Sequence, residues 1–213
     1  MGRHLRVLGS LLAVVVLAAA CGLGPADDPL VGADADDCPD VVTASPEPLE
    51  VGVIIERADE GADHVLCEVA YETGPPTSGA HFPVWQNCGF YTEPIRNETA
   101  VHALEHGAIW IAYDPDLDPV LVDEISAVTA LDPHFISSPY PGLQNPIVLS
   151  AWQRQLAVDR IGDNIVVEFM DTQLGRVSET APEAGASCEG GVGAPPFDPD
   201  RGFDDAVAFF AEG

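Results

Sequence analysis

His102-Ala103-Leu104-Glu105-His106-Gly107 runs straight into Ala108-Ile109-Trp110-Ile111-Ala112-Tyr113. The first stretch has helical spacing, and its glycine stands where a helix ends. The second is a continuous apolar run of strand length, closed by Asp114-Pro115. Upstream, Asn97 reads as the helix cap and Glu98 as a first-turn acid. Downstream, Val120 to Leu131 has the apolar spacing of a second helix. Phe135 to Ser138 and Ile147 to Trp152 read as strands, parted by Pro139, Pro141, Gly142 and Pro146. Asn164 to Leu174 suits another amphipathic helix. On the N-terminal side, Val51 to Glu56 is a strand or a buried helical turn, and His64 to Tyr71 a further strand. Gly74-Pro75-Pro76-Thr77-Ser78-Gly79 forms a stiff loop that delivers His81. Strands and helices intermix without regular alternation. The expected fold is a single α+β domain, with a mainly antiparallel sheet and a few short helices.

The ends differ from this middle. Arg3 and Arg6 precede an apolar run from Val7 to Ala20, which is short for a membrane span. The following Leu17-Ala18-Ala19-Ala20-Cys21-Gly22 resembles a bacterial lipoprotein signal, in which cleavage precedes the cysteine and the thiol is lipidated. The expected division is a signal peptide over 1–20 with Cys21 lipidated, and an acidic Pro/Gly-rich tether over 21–49. A globular domain follows over 50–190, then a Gly/Pro-rich tail with a short C-terminal helix over 191–213. The chain would lie at the cell envelope, anchored to the outer face of the cytoplasmic membrane or secreted. Its membrane contact would be the lipid anchor, and no protein partner is named by the sequence.

Eight basic side chains, all arginine, face thirty-five carboxylates, for a formal net charge of −27. Such a surface repels nucleic acid, which requires basic groups. Past Cys21 the cysteines are Cys38, Cys67, Cys88 and Cys188, an even set that reads as two disulfides in an exported chain. Three connectivities are open. If His64 to Tyr71 is a regular strand, His64 and Cys67 point to opposite faces. Cys67 then pairs more naturally with Cys88, leaving Cys38 for Cys188.

Pro75-Pro76-Thr77-Ser78-Gly79-Ala80-His81, Cys88-Gly89-Phe90-Tyr91 and Val101-His102-Ala103-Leu104-Glu105-His106-Gly107 together resemble a bacterial family catalogued as domain of unknown function 3105. Ser150-Ala151-Trp152 and Ala181-Pro182-Glu183 also fit its pattern. The likeness runs from about His64 to Cys188. It implies a secreted or membrane-attached envelope protein and supplies no activity, fold or ligand.

The chemistry rests on histidine. Two imidazoles at i and i+4 share a helix face and can share a metal ion. His102 and His106 would supply two ligands, His81 a third from the stiff loop, and His64 a fourth. Copper suits an imidazole-rich exported site, with zinc next; copper would also accept Cys88 or Met170 as a soft ligand. The competing account makes these residues structural. Glu98 and His102 would form a helix-surface pair, His106 would answer the helix dipole, and the chain would be a non-catalytic envelope interaction module. His134, between Pro133 and Phe135, reads as a packed or loop histidine. A third account takes His102, Glu105 and His106 as the H-x-x-E-H of inverted zinc proteases. Glu105 would then activate water, and Glu168, Glu179 or Glu183 would complete the site. Ser78 lies near His81 but lacks a third partner by spacing, and reads as a turn residue. Trp85, Trp110 and Trp152 could line a pocket or serve as core.

Overall fold

A computed structural model describes residues 46–211. The expected signal segment, Cys21, Cys38 and the expected tether up to residue 45 lie outside the described residues. Among the described residues the chain builds one six-stranded sheet and four α-helices. The strands are β1 (Ile54–Glu56), β2 (Gly89–Phe90), β3 (Ile109–Tyr113), β4 (Phe135–Pro139), β5 (Ile147–Ala151) and β6 (Arg154–Val158). The helices are α1 (Asn97–Glu105), α2 (Pro119–Thr129), α3 (Asn164–Gln173) and α4 (Phe203–Ala211). The sheet order is β1-β6-β5-β3-β4-β2. Pairs β1·β6, β5·β6 and β3·β5 are antiparallel, whereas β3·β4 and β2·β4 are parallel. The fold is α+β, as the sequence pattern indicates, with a sheet that is mostly antiparallel.

Alternation along the strands explains why both faces are covered. On β3, Trp110 and Ala112 join one apolar cluster with Ala100, Val101, Ala103 and Leu104 of α1. Ile109, Ile111 and Tyr113 point the other way. They meet Ile125 of α2 together with Val166 and Phe169 of α3. With helices on each side, β3 is buried along its whole length, which accounts for its unbroken apolar run. The parallel β3·β4 pair is the local signature of the β3-α2-β4 crossover. Here Asp118 caps α2 by accepting from the Val120 N–H at 2.9 Å, and Pro119 occupies the first helical turn.

Three expectations are corrected. Residues 64–71 do not form a strand: only His64 bridges, in parallel, to His81. The Val65 N–H donates to the His81 carbonyl, but the Val69 N–H donates to the Glu98 carboxylate. A side chain has taken the backbone donor that a ladder needs. Asn97 is not the cap of α1 but its first helical residue; Arg96 precedes it without a side-chain cap bond. The disulfides also differ. Cys88 is joined to Cys188, so neither pairs as expected. Cys67 is itself disulfide-bonded. Among the described residues no helix is long and apolar enough to cross a membrane.

Past Cys188 the chain folds back on the body. Val192 bridges to Gln86, and Asn87 donates through its side chain to the Gly191 and Gly193 carbonyls. Val192 and Phe203 pack with Phe82 and Val84. This anchors the stretch that leads into α1.

Candidate metal centre

α1 is the rigid part of the site. Its residues from Glu98 to Glu105 are all buried. Gly107 ends it with φ +91°, a conformation that disfavours a side chain. A Cβ there would also stand 2.6 Å from the Gly175 carbonyl oxygen. The Gly175 N–H donates to the Gly107 carbonyl at 2.7 Å, closing that contact. His102 and Glu105, three residues apart, therefore project from one fixed face.

The 64–81 segment supplies the opposite wall. His64, His81, His102 and Glu105 each offer one donor atom, and these atoms all lie within 4.8 Å of one another. The rings confirm the convergence. His64 stacks on His102 at 5.0 Å between centroids, while His81 meets His64 and His102 edge-on at 5.1 and 4.9 Å. His81 is fully buried, His102 and Glu105 nearly so, and His64 half-buried. This His3Glu group can hold a metal ion. A tetrahedral ion with bonds of about 2.0–2.1 Å spaces its donors roughly 3.4 Å apart, so only a small contraction is needed.

Hydrogen bonds fix which ring atoms are available. A carbonyl oxygen only accepts, so a ring nitrogen facing one must carry the proton. His102 donates through Nδ1 to the Phe82 carbonyl at 2.7 Å, and His81 through Nδ1 to the Gly79 carbonyl at 2.8 Å. Such bonds orient ligand imidazoles and leave Nε2 for the ion. The His81 Nε2 then lies 3.1 Å from Glu105 Oε2. With Nδ1 protonated, a neutral His81 and an ionised Glu105 would set lone pair against lone pair. A cation or a proton must lie between them. Burial pushes the His102 imidazole down to about 3, opposed by its bond to Phe82 and helped by the neighbouring His81, His106 and His64. His102 is thus neutral, the form a metal binds, across the physiological range.

His106 does not join this group. Its ring lies 4.9 Å from that of His102, but Nδ1 donates to the Ser187 carbonyl at 2.7 Å. Its Nε2 sits 3.3 Å from Glu183 Oε2. The helix ends between them: Glu105 is the last residue of α1, and His106 caps it. In the inverted zinc-protease arrangement both imidazoles hold one ion while the glutamate activates water. The described side chains instead place Glu105 among the donors and Glu183 on His106. Of the soft ligands weighed from sequence, Cys88 is spent in its disulfide, and Met170 packs with the core beneath α3.

The remaining candidates are also placed. His134 donates through Nε2 to the Ala186 carbonyl at 3.0 Å, with Asp132 at 3.4 Å from its Nδ1, a loop-holding role as expected. Ser78 bonds the 58–60 backbone. Glu98 is no surface partner of His102; it is buried, accepts from Val69, and burial pushes its carboxyl up. Trp85 lies against His102 and His106 at 5.6 and 4.8 Å, Trp152 edges His81 at 6.2 Å, and Trp110 packs in the core with Tyr140. Glu105 as a donor was the residue sequence reasoning assigned elsewhere. The i,i+3 spacing of His102 and Glu105 was its signal.

Comparison with known proteins agrees with the motif reading. The family model described as protein of unknown function (DUF3105) matches residues 64–190. No curated protein and no solved structure matches.

Proposed function

Because this chain belongs to the DUF3105 family, whose description assigns no activity, we propose from its own side chains that it is an exported, lipid-anchored metal-binding protein. It takes up a divalent transition metal, copper(II) ahead of zinc, at the outer face of the cytoplasmic membrane, and serves capture, delivery or sensing. The observation that carries this is the convergence of His64, His81, His102 and Glu105, whose donor atoms all lie within 4.8 Å of one another. Three imidazoles and a carboxylate form a borderline-to-hard set that suits both ions, and copper(II) binds such donors more tightly in the general divalent order. The order of basic, apolar and small residues before Cys21 supports export and lipidation. A disulfide between Cys88 and Cys188 is in keeping with an oxidising compartment.

The test is metal content of the exported, disulfide-intact chain, loaded separately with copper(II) and zinc and then dialysed. We expect one retained equivalent, lost in His81→Ala/His102→Ala. Glu105→Gln should weaken retention at least about tenfold, since a neutral amide replaces an anionic donor. No retention by the unsubstituted chain sinks the proposal and leaves an envelope interaction module with structural histidines.

A further inference from the structure

A second imidazole–carboxylate pair stands outside the His3Glu group. His106 donates through Nδ1 to the Ser187 carbonyl, so Nε2 is the ring atom that faces Glu183 Oε2, at 3.3 Å. The relation repeats the geometry of His81 and Glu105, with a ring nitrogen and a carboxylate oxygen close enough to serve one ion together. Its position is fixed by backbone. The Glu183 N–H donates to the carbonyl of Glu105 itself at 3.0 Å, and the Gly185 N–H donates to that of His106 at 2.9 Å. The 183–187 loop is thereby registered on the last turn of the helix that carries the inner donors.

Exposure grades along this line. The Glu183 side chain is 56% exposed and that of His106 5%. The imidazoles then run in contact inward, His106 to His102 at 4.9 Å and His102 to His81 at 4.9 Å. We propose that Glu183 and His106 form an outer two-donor station, through which the divalent metal passes between solvent or a delivering partner and the buried His3Glu group. A carboxylate in water captures the hydrated ion. The His106 imidazole replaces one of its waters, and His102 accepts the ion from His106 by ligand exchange with no change of oxidation state. This inference rests on the metal reading of the inner site.

The test follows the rates of zinc(II) and copper(II) loading, and of their removal by excess EDTA, in the full exported chain. Glu183→Gln and His106→Gln should each keep one equivalent, with loading and removal both slowed about tenfold. Equal slowing in both directions leaves affinity within about threefold of the parent. Glu189→Gln, an exposed change of the same charge on the same segment, should leave both rates unaltered. Unchanged rates in Glu183→Gln and His106→Gln overturn the station while leaving the inner site standing. Loss of the equivalent in Glu183→Gln also overturns it, by making that carboxylate a primary ligand. Failure of the parent chain to bind metal is a separate result, which removes the inner site and the station together.

Discussion

The substitution His102→Gln tests whether a neutral imidazole is locked inside the fold, through the pH dependence of stability. In the folded chain His102 is held to about 3, against 6.5 for an unperturbed imidazole, chiefly by burial. Below about pH 6.5 the unfolded chain therefore binds a proton that the folded chain refuses. The effect on stability is absent above that pH and grows as pH falls, until the folded group itself titrates. One proton changes stability by about 1.4 kcal/mol per pH unit, so the loss reaches about 2.7 kcal/mol at pH 4.5. Glutamine carries no such proton, and its amide can still donate to the Phe82 carbonyl. At neutral pH the variant should be weaker by about 1–2 kcal/mol, from a poorer hydrogen bond and lost ring packing. The two stability curves then cross between about pH 5 and 6, and in acid the variant is the more stable protein. Urea unfolding of chelator-treated, disulfide-intact protein from pH 7.5 to 4 measures this. Groups remote from His102 cancel in the difference. A difference that stays flat with pH refutes the reasoning, because His102 would then take up protons in the folded state.

Gly107→Ala should destabilise by about 1–3 kcal/mol more than Gly142→Ala, measured by the same unfolding. Both glycines have positive φ (91° and 81°), but only at Gly107 does a Cβ meet backbone, at 2.6 Å from the Gly175 carbonyl. The excess is the disturbed Gly175–Gly107 hydrogen bond, and equal losses would show that the approach is not close. Replacing Cys88 and Cys188 together by alanine should cost about 2–5 kcal/mol, since the bridge closes a sequence separation of 100 residues. A loss under about 1 kcal/mol would mean that the 183–193 contacts alone hold this segment.

What could be read from sequence was what local patterning controls. The helix before Gly107 follows from spacing plus a stop that needs positive φ, and β3 from an apolar run too long to be half-exposed. The strand β6 went unseen because its hairpin turn, Trp152-Gln153, has none of the usual turn residues, although Gln153 adopts φ +57°. The two-residue β2 carries no pattern, and its pairing with β4 is set by the crossover. His64 to Tyr71 looked like a strand because its residues are β-formers, yet the Glu98 carboxylate claims the Val69 N–H from far along the chain. For the site, His64, His81 and His102 were legible as donors from their scarcity and motif context. The division between His102 and His106 was not, because it depends on where the 183–187 loop returns.

The complete burial of α1 has a mechanical consequence for ion choice. Buried from Glu98 to Glu105 and pinned at Gly107, this helix is the stiffer side, so the spacing of His102 and Glu105 acts as the harder jaw. The facing jaw is a loop pair, bridged at His64 and His81 and tied again where the Gly79 N–H donates to the Gly61 carbonyl. That jaw has the more freedom to travel to suit an ion's radius. Amide exchange on either side of the jaw would record the grip as slowed exchange around 64–81, with α1 unchanged, and would rank ions by how far the soft side must close.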